Sequence, residues 1–271
     1  MTAEDVLAST PAWQQAIDGH LFPLAIAIAL LVVFISVRRR PGGPAALPAH
    51  EVRRNVLLIG LAVLAFALLW LIGVRVAPGR VGYPIDDVIA DWARRHVGTD
   101  LLVLLSWISE AGSTLWLTVV TFAMGLWQWR KGRGMIGLAA MLTSGANGLA
   151  IRGLKAEFER IRPEHLHAGA LEPGFSYPSG HSAGSLLVYG LLAWLVTRDW
   201  PARRRWPVFC LALLMAVLIA ATRVLLQVHF LSDVVGGMLL GIGVLLIAVV
   251  WIRSRERLGA GPGGKADLPV V

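Results

Sequence analysis

An all-α, polytopic membrane protein is the fold class that this 271-residue sequence predicts, and three observations predict it. Hydrophobic residues make up 56% of the chain and charged residues 15%, with a mean hydropathy of +0.66, too apolar for a water-soluble domain of this length. The apolar residues gather into runs that, as helices rising ~1.5 Å per residue, approach or cross a ~30 Å hydrocarbon core. The 25 Lys and Arg residues, which outnumber Asp and Glu to leave a net charge of +8, sit in short clusters between those runs. That placement orients spans in a bilayer and does not indicate nucleic acid as a partner.

Taken in order, residues 1–20 carry Glu4, Asp5 and Asp18 but no Lys or Arg, the reverse of a secretory signal, so no cleaved leader is expected. Leu21 to Val37 is a first span, ended by Arg38, Arg39 and Arg40. Pro41 to His50 is rich in Pro, Gly and Ala and reads as a cytoplasmic linker leading to Arg53 and Arg54. Val56 to Val76 is the second span. In Pro78 to Gly112 polarity rises: Ile85, Val88, Ile89 and Trp92 recur at helical spacing opposite Asp86, Asp87, Asp91, Arg94 and Arg95, an amphipathic helix for the outer surface. Leu101 to Ile108 is apolar but short, a surface or partly inserted helix.

The third span runs from about Thr114 to Trp129, with Trp127 and Trp129 beside Arg130, Lys131 and Arg133 at its inner end. Met135 to Leu154 returns outward, Leu186 to Val196 comes back to Arg198 and Arg203 to Arg205, Pro207 to Ala221 goes out, and Asp233 to Ile252 closes at Arg253, Arg255 and Arg257. This seven-span arrangement places every large basic cluster on one side and the N-terminus outside. It divides the chain into an N-terminal segment with an extra span and linker (1–54), a membrane core (55–257) and a Gly/Pro-rich tail (258–271). The single cysteine, Cys210, lies in an apolar run, which excludes an intramolecular disulfide and a Cys-rich metal site.

The same topology puts three polar segments at the outer ends of their spans: Lys155 to Pro163, Pro178 to His181, and Thr222 to Asp233. Lys155 and Arg162 are seven apart, so on a continuous helix they share a side, and Pro163 marks its end. Pro178 and Ser179 are suited to opening a helix, which leaves free N–H groups near Gly180 and His181 at the positive end of a helix dipole, a site for an anion. His229 and Asp233 are four apart, within reach on one helical face. Ionisable groups gathered at one membrane depth are costly unless used. Their chemistry suits phosphoryl transfer: His229 as nucleophile oriented by Asp233, His181 as acid and base, and Lys155, Arg162 and Arg223 against the equatorial oxygens.

Plainer readings exist for each element alone. Lys155 could pair with Glu159 and Arg162 with Glu159 or Glu164, His229 with Asp233 could be a buried hydrogen-bonded pair, and Ser179-Gly180-His181 could be only a helix cap. His165 and His167 invite a metal reading, but no carboxylate or Cys set with ligand spacing accompanies them, so no metal is assigned.

Lys155 with six residues before Arg162-Pro163, then Pro178-Ser179-Gly180-His181, then Arg223 with five residues before His229 and three more before Asp233, resembles the signature of the type 2 phosphatidic acid phosphatase family, whose site vanadium-dependent haloperoxidases share. The resemblance covers about residues 155 to 233. It implies a six-helix core, to which the first span is an addition, and a metal-independent phosphatase of membrane lipid phosphates without a cofactor. His229 would be the nucleophile, Asp233 its partner and His181 the acid/base, with Lys155, Arg162, Ser179, Gly180 and Arg223 as phosphate ligands. The sequence departs at Thr222, where the family usually has Ser. The expected substrate is undecaprenyl diphosphate, phosphatidylglycerophosphate or phosphatidic acid at the outer face of the cytoplasmic membrane. Rival expectations are a phosphotransferase, a transporter and an inactive scaffold.

Overall fold

The computed structural model describes residues 48–163 and 174–259, and every regular element among them is a helix. The chain order is α1 (Ala49–Val76), α2 (Pro84–His96), α3 (Thr99–Glu110), α4 (Thr114–Arg130), α5 (Gly134–Phe158), α6 (Gly180–Thr197), α7 (Ala202–Leu225) and α8 (Leu231–Gly259). Among the described residues six stretches are long and apolar enough to cross a membrane, with α3 and α4 counting as one of them over Thr99–Arg130. The chain is therefore a multi-pass membrane protein, and its six stretches coincide with the second to seventh expected spans. The first expected span at Leu21 to Val37, most of the linker, His165, His167 and all of the tail beyond Gly259 lie outside the described residues.

The bundle is apolar outside as well as inside, as a lipid solvent demands. In α1 a stripe of Ala62, Ala65, Leu69, Gly73 and Val76 is buried at helical spacing, while Val56, Leu57, Leu64 and Leu71 are exposed. Helix α6 is the centre: Leu187, Leu191 and Ala183 are fully buried, and α7 and α8 pack along it. Close approach of α8 to α6 depends on small residues. A Cβ at Gly237 would strike the Ser179 carbonyl, and one at Gly241 would lie 2.5 Å from the Ala183 carbonyl.

Basic clusters collect at the end of the bundle away from the three polar segments. Arg133 meets Asp199 at 3.3 Å, and Arg198 holds Glu256 at 2.5 and 2.7 Å, joining α5, α6 and α8 at that end.

Two local expectations change. The short apolar run 101–108 belongs to α3, which packs on α7 and is separated from α4 only by the turn at Ala111, Gly112 and Ser113. Ser113 caps α4 by accepting from the Trp116 N–H at 3.3 Å, and the Tyr189 hydroxyl donates to the Ala111 carbonyl at 2.6 Å. Helix α2 forms as expected, but it docks on α7 and α8 with Asp86 buried against Ser232 and Ile89 packed on Ala220, Val224 and Val234, and leaves Ile85, Val88 and Trp92 exposed. Only part of its apolar face, at Ile85, Val88 and Trp92, is thus turned outward, and one of its acids, Asp86, is turned inward.

The α6–α8 packing gives the first prediction. Gly241→Val should lower the thermal midpoint of the detergent-solubilised protein by the equivalent of about 1–3 kcal/mol. Gly60→Ala, whose Cβ would meet nothing within 4 Å, should leave the midpoint unchanged or slightly raised.

Candidate active site

At the end of the bundle opposite the basic clusters a cavity of about 810 Å³ opens between α4, α5 and α6. Lys155, Arg162, Gly180, His181 and His229 line it, so residues from all three polar segments meet on one surface. Each arrives by its own local device.

Helix α5 ends at Phe158, and Glu159 adopts the left-handed conformation at φ 43°, reversing the chain. Lys155 and Arg162 therefore do not share a continuous helix, contrary to the spacing argument. Arg162 reaches the cavity from the loop, where its Nη1 donates to the Val228 carbonyl at 2.7 Å and its Nε to the Gly174 carbonyl at 3.0 Å. The same Nη1 stands 3.3 Å from His229 Nε2.

Helix α6 opens as expected. Ser179 is its N-cap, accepting from the Ser182 N–H at 3.5 Å and the Ser182 hydroxyl at 3.0 Å, so its Oγ serves the helix end and is not on the cavity wall. Gly180 is on that wall. A Cβ there would meet only Ile151 at 3.7 Å, so protein packing does not demand glycine; the missing side chain leaves space in the cavity. Below the cap, the Tyr177 hydroxyl donates to the Leu69 carbonyl at 2.5 Å, and the Ser179 N–H donates to the Asp233 carbonyl at 3.0 Å. The second and third polar segments are thereby joined through the backbone. Gly112 lies against the first of these helices' turns: a Cβ on it would come 3.2 Å from His181 Cδ2.

His229 and Asp233 meet, but not across one face of a helix. Gln227 takes a left-handed φ of 57° after α7, and the Val228 and His229 N–H groups both donate to the Arg223 carbonyl at 3.2 Å, which turns His229 inward ahead of α8. Asp233 sits in the first turn of α8 and reaches back. Its Oδ2 accepts from the Phe230 N–H at 2.9 Å, half of a capping box, and from His229 Nδ1 at 3.3 Å. With Nδ1–H committed to Asp233, Nε2 carries the lone pair and is the nitrogen left to the cavity. Burial pushes the His229 imidazole down to about 4, with Arg162 and Arg223 acting in the same direction and Asp233 opposing. The ring is neutral at pH 7 and able to act as a nucleophile.

Arg223 is buried and stands behind the cavity, with Nη1 donating to Ser109 Oγ of α3 at 2.6 Å. Thr222, the departure from the usual Ser, turns its hydroxyl to the Ile219 carbonyl at 2.6 Å, so the extra methyl changes nothing on the cavity wall.

Sequence reasoning passed over Arg160. Its Nη1 donates to Asp233 Oδ1 at 2.5 Å and Ser232 Oγ at 2.6 Å, and its Nη2 to Asp86 Oδ2 at 2.8 Å. The guanidinium lies 4.1 Å from the centre of the Phe230 ring. Asp86 in turn accepts from the Ser232 N–H at 2.9 Å and the Ser232 hydroxyl at 2.5 Å. An Arg two residues before Arg162 and an acid in the amphipathic segment were the available signals; their separation of 74 residues concealed the link.

The surroundings of the cavity agree with comparisons to known proteins. A model of the PAP2 superfamily matches residues 133–257. Phosphatidylglycerophosphatase B of Bacillus subtilis (strain 168) is 33% identical over 153 residues, which cover 52% of this chain and 74% of that protein. The chain belongs to the PAP2 superfamily. Among solved structures, the crystal structure of the first transmembrane PAP2 type phosphatidylglycerolphosphate phosphatase from Bacillus subtilis is similar with a TM-score of 0.61 at 29% identity, covering 72% of this chain and 96% of that one. The PAP2 match begins at the loop between α4 and α5 and so contains all three polar segments, while Asp86 and Ser109 lie outside it.

Two predictions come from this geometry. Removing one member of a buried ion pair costs about 3–5 kcal/mol, so Asp86→Asn and Arg160→Gln should each lower the thermal midpoint strongly. The double variant should be less destabilised than the sum, with a coupling of at least about 1 kcal/mol; simple additivity would show that the pair is not a unit. The second concerns pH. His229 is held below its ordinary value, so the unfolded chain takes up a proton that the folded chain resists, and stability is complete above about pH 6.5 and lost as pH falls from there toward about 4. Relative to His229→Gln, wild-type stability should decline by up to about 1.4 kcal/mol per pH unit across that window, read from unfolding midpoints in detergent.

Proposed function

We propose that this protein hydrolyses a phosphomonoester or diphosphate of a membrane lipid through a phosphohistidine on His229, at the outer face of the cytoplasmic membrane. That the chain is a phosphatase acting on lipid phosphates follows from its family and its likeness to a phosphatidylglycerophosphatase. The observation that carries the finer reading is the setting of His229, whose Nδ1 is held by Asp233 while Nε2 lies beside Arg162 on a cavity shared with Lys155 and His181.

In the first step Nε2 attacks phosphorus and forms a P–N bond as the P–O bond to the leaving group breaks, and His181 gives a proton to the departing oxygen. Lys155, Arg162 and the backbone N–H groups at Gly180 and His181 meet the phosphoryl oxygens, with the charge of Arg223 behind them and Ser179 holding the turn. In the second step His181 takes a proton from water as the water oxygen forms a P–O bond to phosphorus, the P–N bond breaks, and phosphate leaves with His229 neutral again. Asp233 stays hydrogen-bonded to Nδ1 throughout and orients the ring.

The domain that does this is residues 55–257, with 1–54 and 258–271 flanking it. The outer face is supported by the basic clusters at the opposite end of the bundle, since such clusters are retained inside. The substrate is a lipid of the class of undecaprenyl diphosphate, phosphatidylglycerophosphate or phosphatidic acid, whose tails remain in the bilayer. The volume of the cavity favours one second reading, in which an acceptor hydroxyl replaces water and the enzyme is a phosphotransferase.

The test is phosphate release by purified protein in detergent with EDTA present, followed by rapid acid-free quenching. Wild type should turn over and His229→Ala should lose at least about 10⁴-fold in kcat. His181→Ala should accumulate an acid-labile phosphoenzyme that His229→Ala cannot form. Phosphate found on an acceptor with none freed would replace hydrolysis by transfer, and full activity in His229→Ala would remove the mechanism.

A further inference from the structure

One cation on the cavity wall has no part in the reaction just described. Arg152 lines the same cavity as Lys155, three residues away and so one turn along the same side of α5. At ~1.5 Å per residue it lies about 4.5 Å further toward the membrane interior than Lys155. Its side chain is exposed, and among the described residues no carboxylate pairs with it. A guanidinium below the end of a spanning helix is costly unless it has an anionic partner.

The wall beyond Arg152 changes character. Gly148, Gly145 and Met141 continue the stripe inward, facing Thr118 and Phe122 of α4, and a Cβ on Gly145 or Gly148 would meet nothing within 4 Å. Along one face of α5 the cavity therefore runs from an open, largely apolar channel, past a single cation, to the cluster around His229. A lipid lying in it with its tail in the channel and its terminal phosphate at His229 must pass the link between them beside Arg152.

We propose that Arg152 binds a second phosphoryl group, the one that stays on the lipid, and so selects substrates carrying two phosphoryl groups in series over those carrying one. This rests on the reading of the His229 site given above. Two lipid chemistries present such a group: the inner phosphate of a prenyl diphosphate, and the diester of a phosphatidylglycerophosphate. Phosphatidic acid and prenyl monophosphates have nothing for Arg152 to hold. A guanidinium matches a phosphate with two parallel N–H donors, which Lys cannot reproduce in full.

The experiment compares wild type, Arg152→Gln and Arg152→Lys, each full length and in mixed micelles, on farnesyl diphosphate, farnesyl monophosphate, phosphatidylglycerophosphate and phosphatidic acid. For Arg152→Gln, kcat/KM should fall about tenfold to hundredfold on at least one of the two doubly phosphorylated lipids, mainly through KM, and less than about twofold on their singly phosphorylated counterparts. Arg152→Lys should recover part of the loss. The lipid with the larger fall identifies which of the two linkages the site was built for. An equal fall on all four, or none on any, would overturn the proposal and make Arg152 an interfacial anchor. Binding of farnesyl methylenebisphosphonate and farnesyl phosphonate to the same proteins is independent of turnover. If wild type released phosphate from no lipid, the hydrolytic reading would fall, and the same contrast in affinity, present or absent, would still decide the role of Arg152.

Discussion

The guanidinium of Arg160, set between Asp86 and Asp233, is the interaction on which the cavity end of this protein depends. Both carboxylates are buried, and a buried carboxylate without compensation would cost several kcal/mol. One guanidinium supplies a single positive charge for two negative ones. The balance comes from the start of α8, where the Ser232 and Phe230 N–H groups donate to Asp86 and Asp233 at the positive end of the helix dipole. Three segments that share no local sequence are thus tied at one point: the amphipathic helix α2, the loop after α5, and the first turn of α8. Because Asp233 also holds His229, the tie that closes the fold is one bond away from the atom proposed to react.

The rest of the architecture serves that point. Gly237 and Gly241 let α8 lie directly on α6, which brings the capped turn at Ser179 against Asp233. Tyr177 reaches across to α1 and fixes the loop that carries the turn. Helix α3, short as it is, places Ser109 under Arg223. Removing the central charge cluster would therefore do more than weaken one pair, since it joins α2, the loop that carries Arg162 and the start of α8 beside His229.

Much of this was legible in the sequence because hydropathy and basic clusters are strong, local signals: the six spans among the described residues fall where they were expected. The cavity residues Lys155, Arg162, Gly180, His181 and His229 were also legible, though the chain brings two of the pairs together otherwise than by helical spacing. Helical spacing paired Lys155 with Arg162 and His229 with Asp233, whereas the structure pairs them through a left-handed residue at Glu159 in one case and a capping contact at Asp233 in the other. Loop reversals of that kind leave no periodic trace. Arg160, Asp86 and Ser109 could not be read at all, because their meaning is a contact between distant segments, and an acid on an amphipathic helix reads as solvated until the packing turns it inward.

The same geometry divides the work of the proposed reaction. Asp233 has both oxygens engaged, Oδ1 with Arg160 and Oδ2 with His229 and Phe230, and it is fully buried. A carboxylate so placed can hold an imidazole in one tautomer, but taking the proton from Nδ1 would break the compensation with Arg160 and leave that guanidinium facing Asp86 alone. Proton transfer then falls to His181, which is on the cavity wall and reachable by both leaving group and water. The cavity runs along α5 past Arg152, so in the proposed reaction Arg152 bears on which lipid is held while Arg160, behind the wall, bears on how His229 meets it.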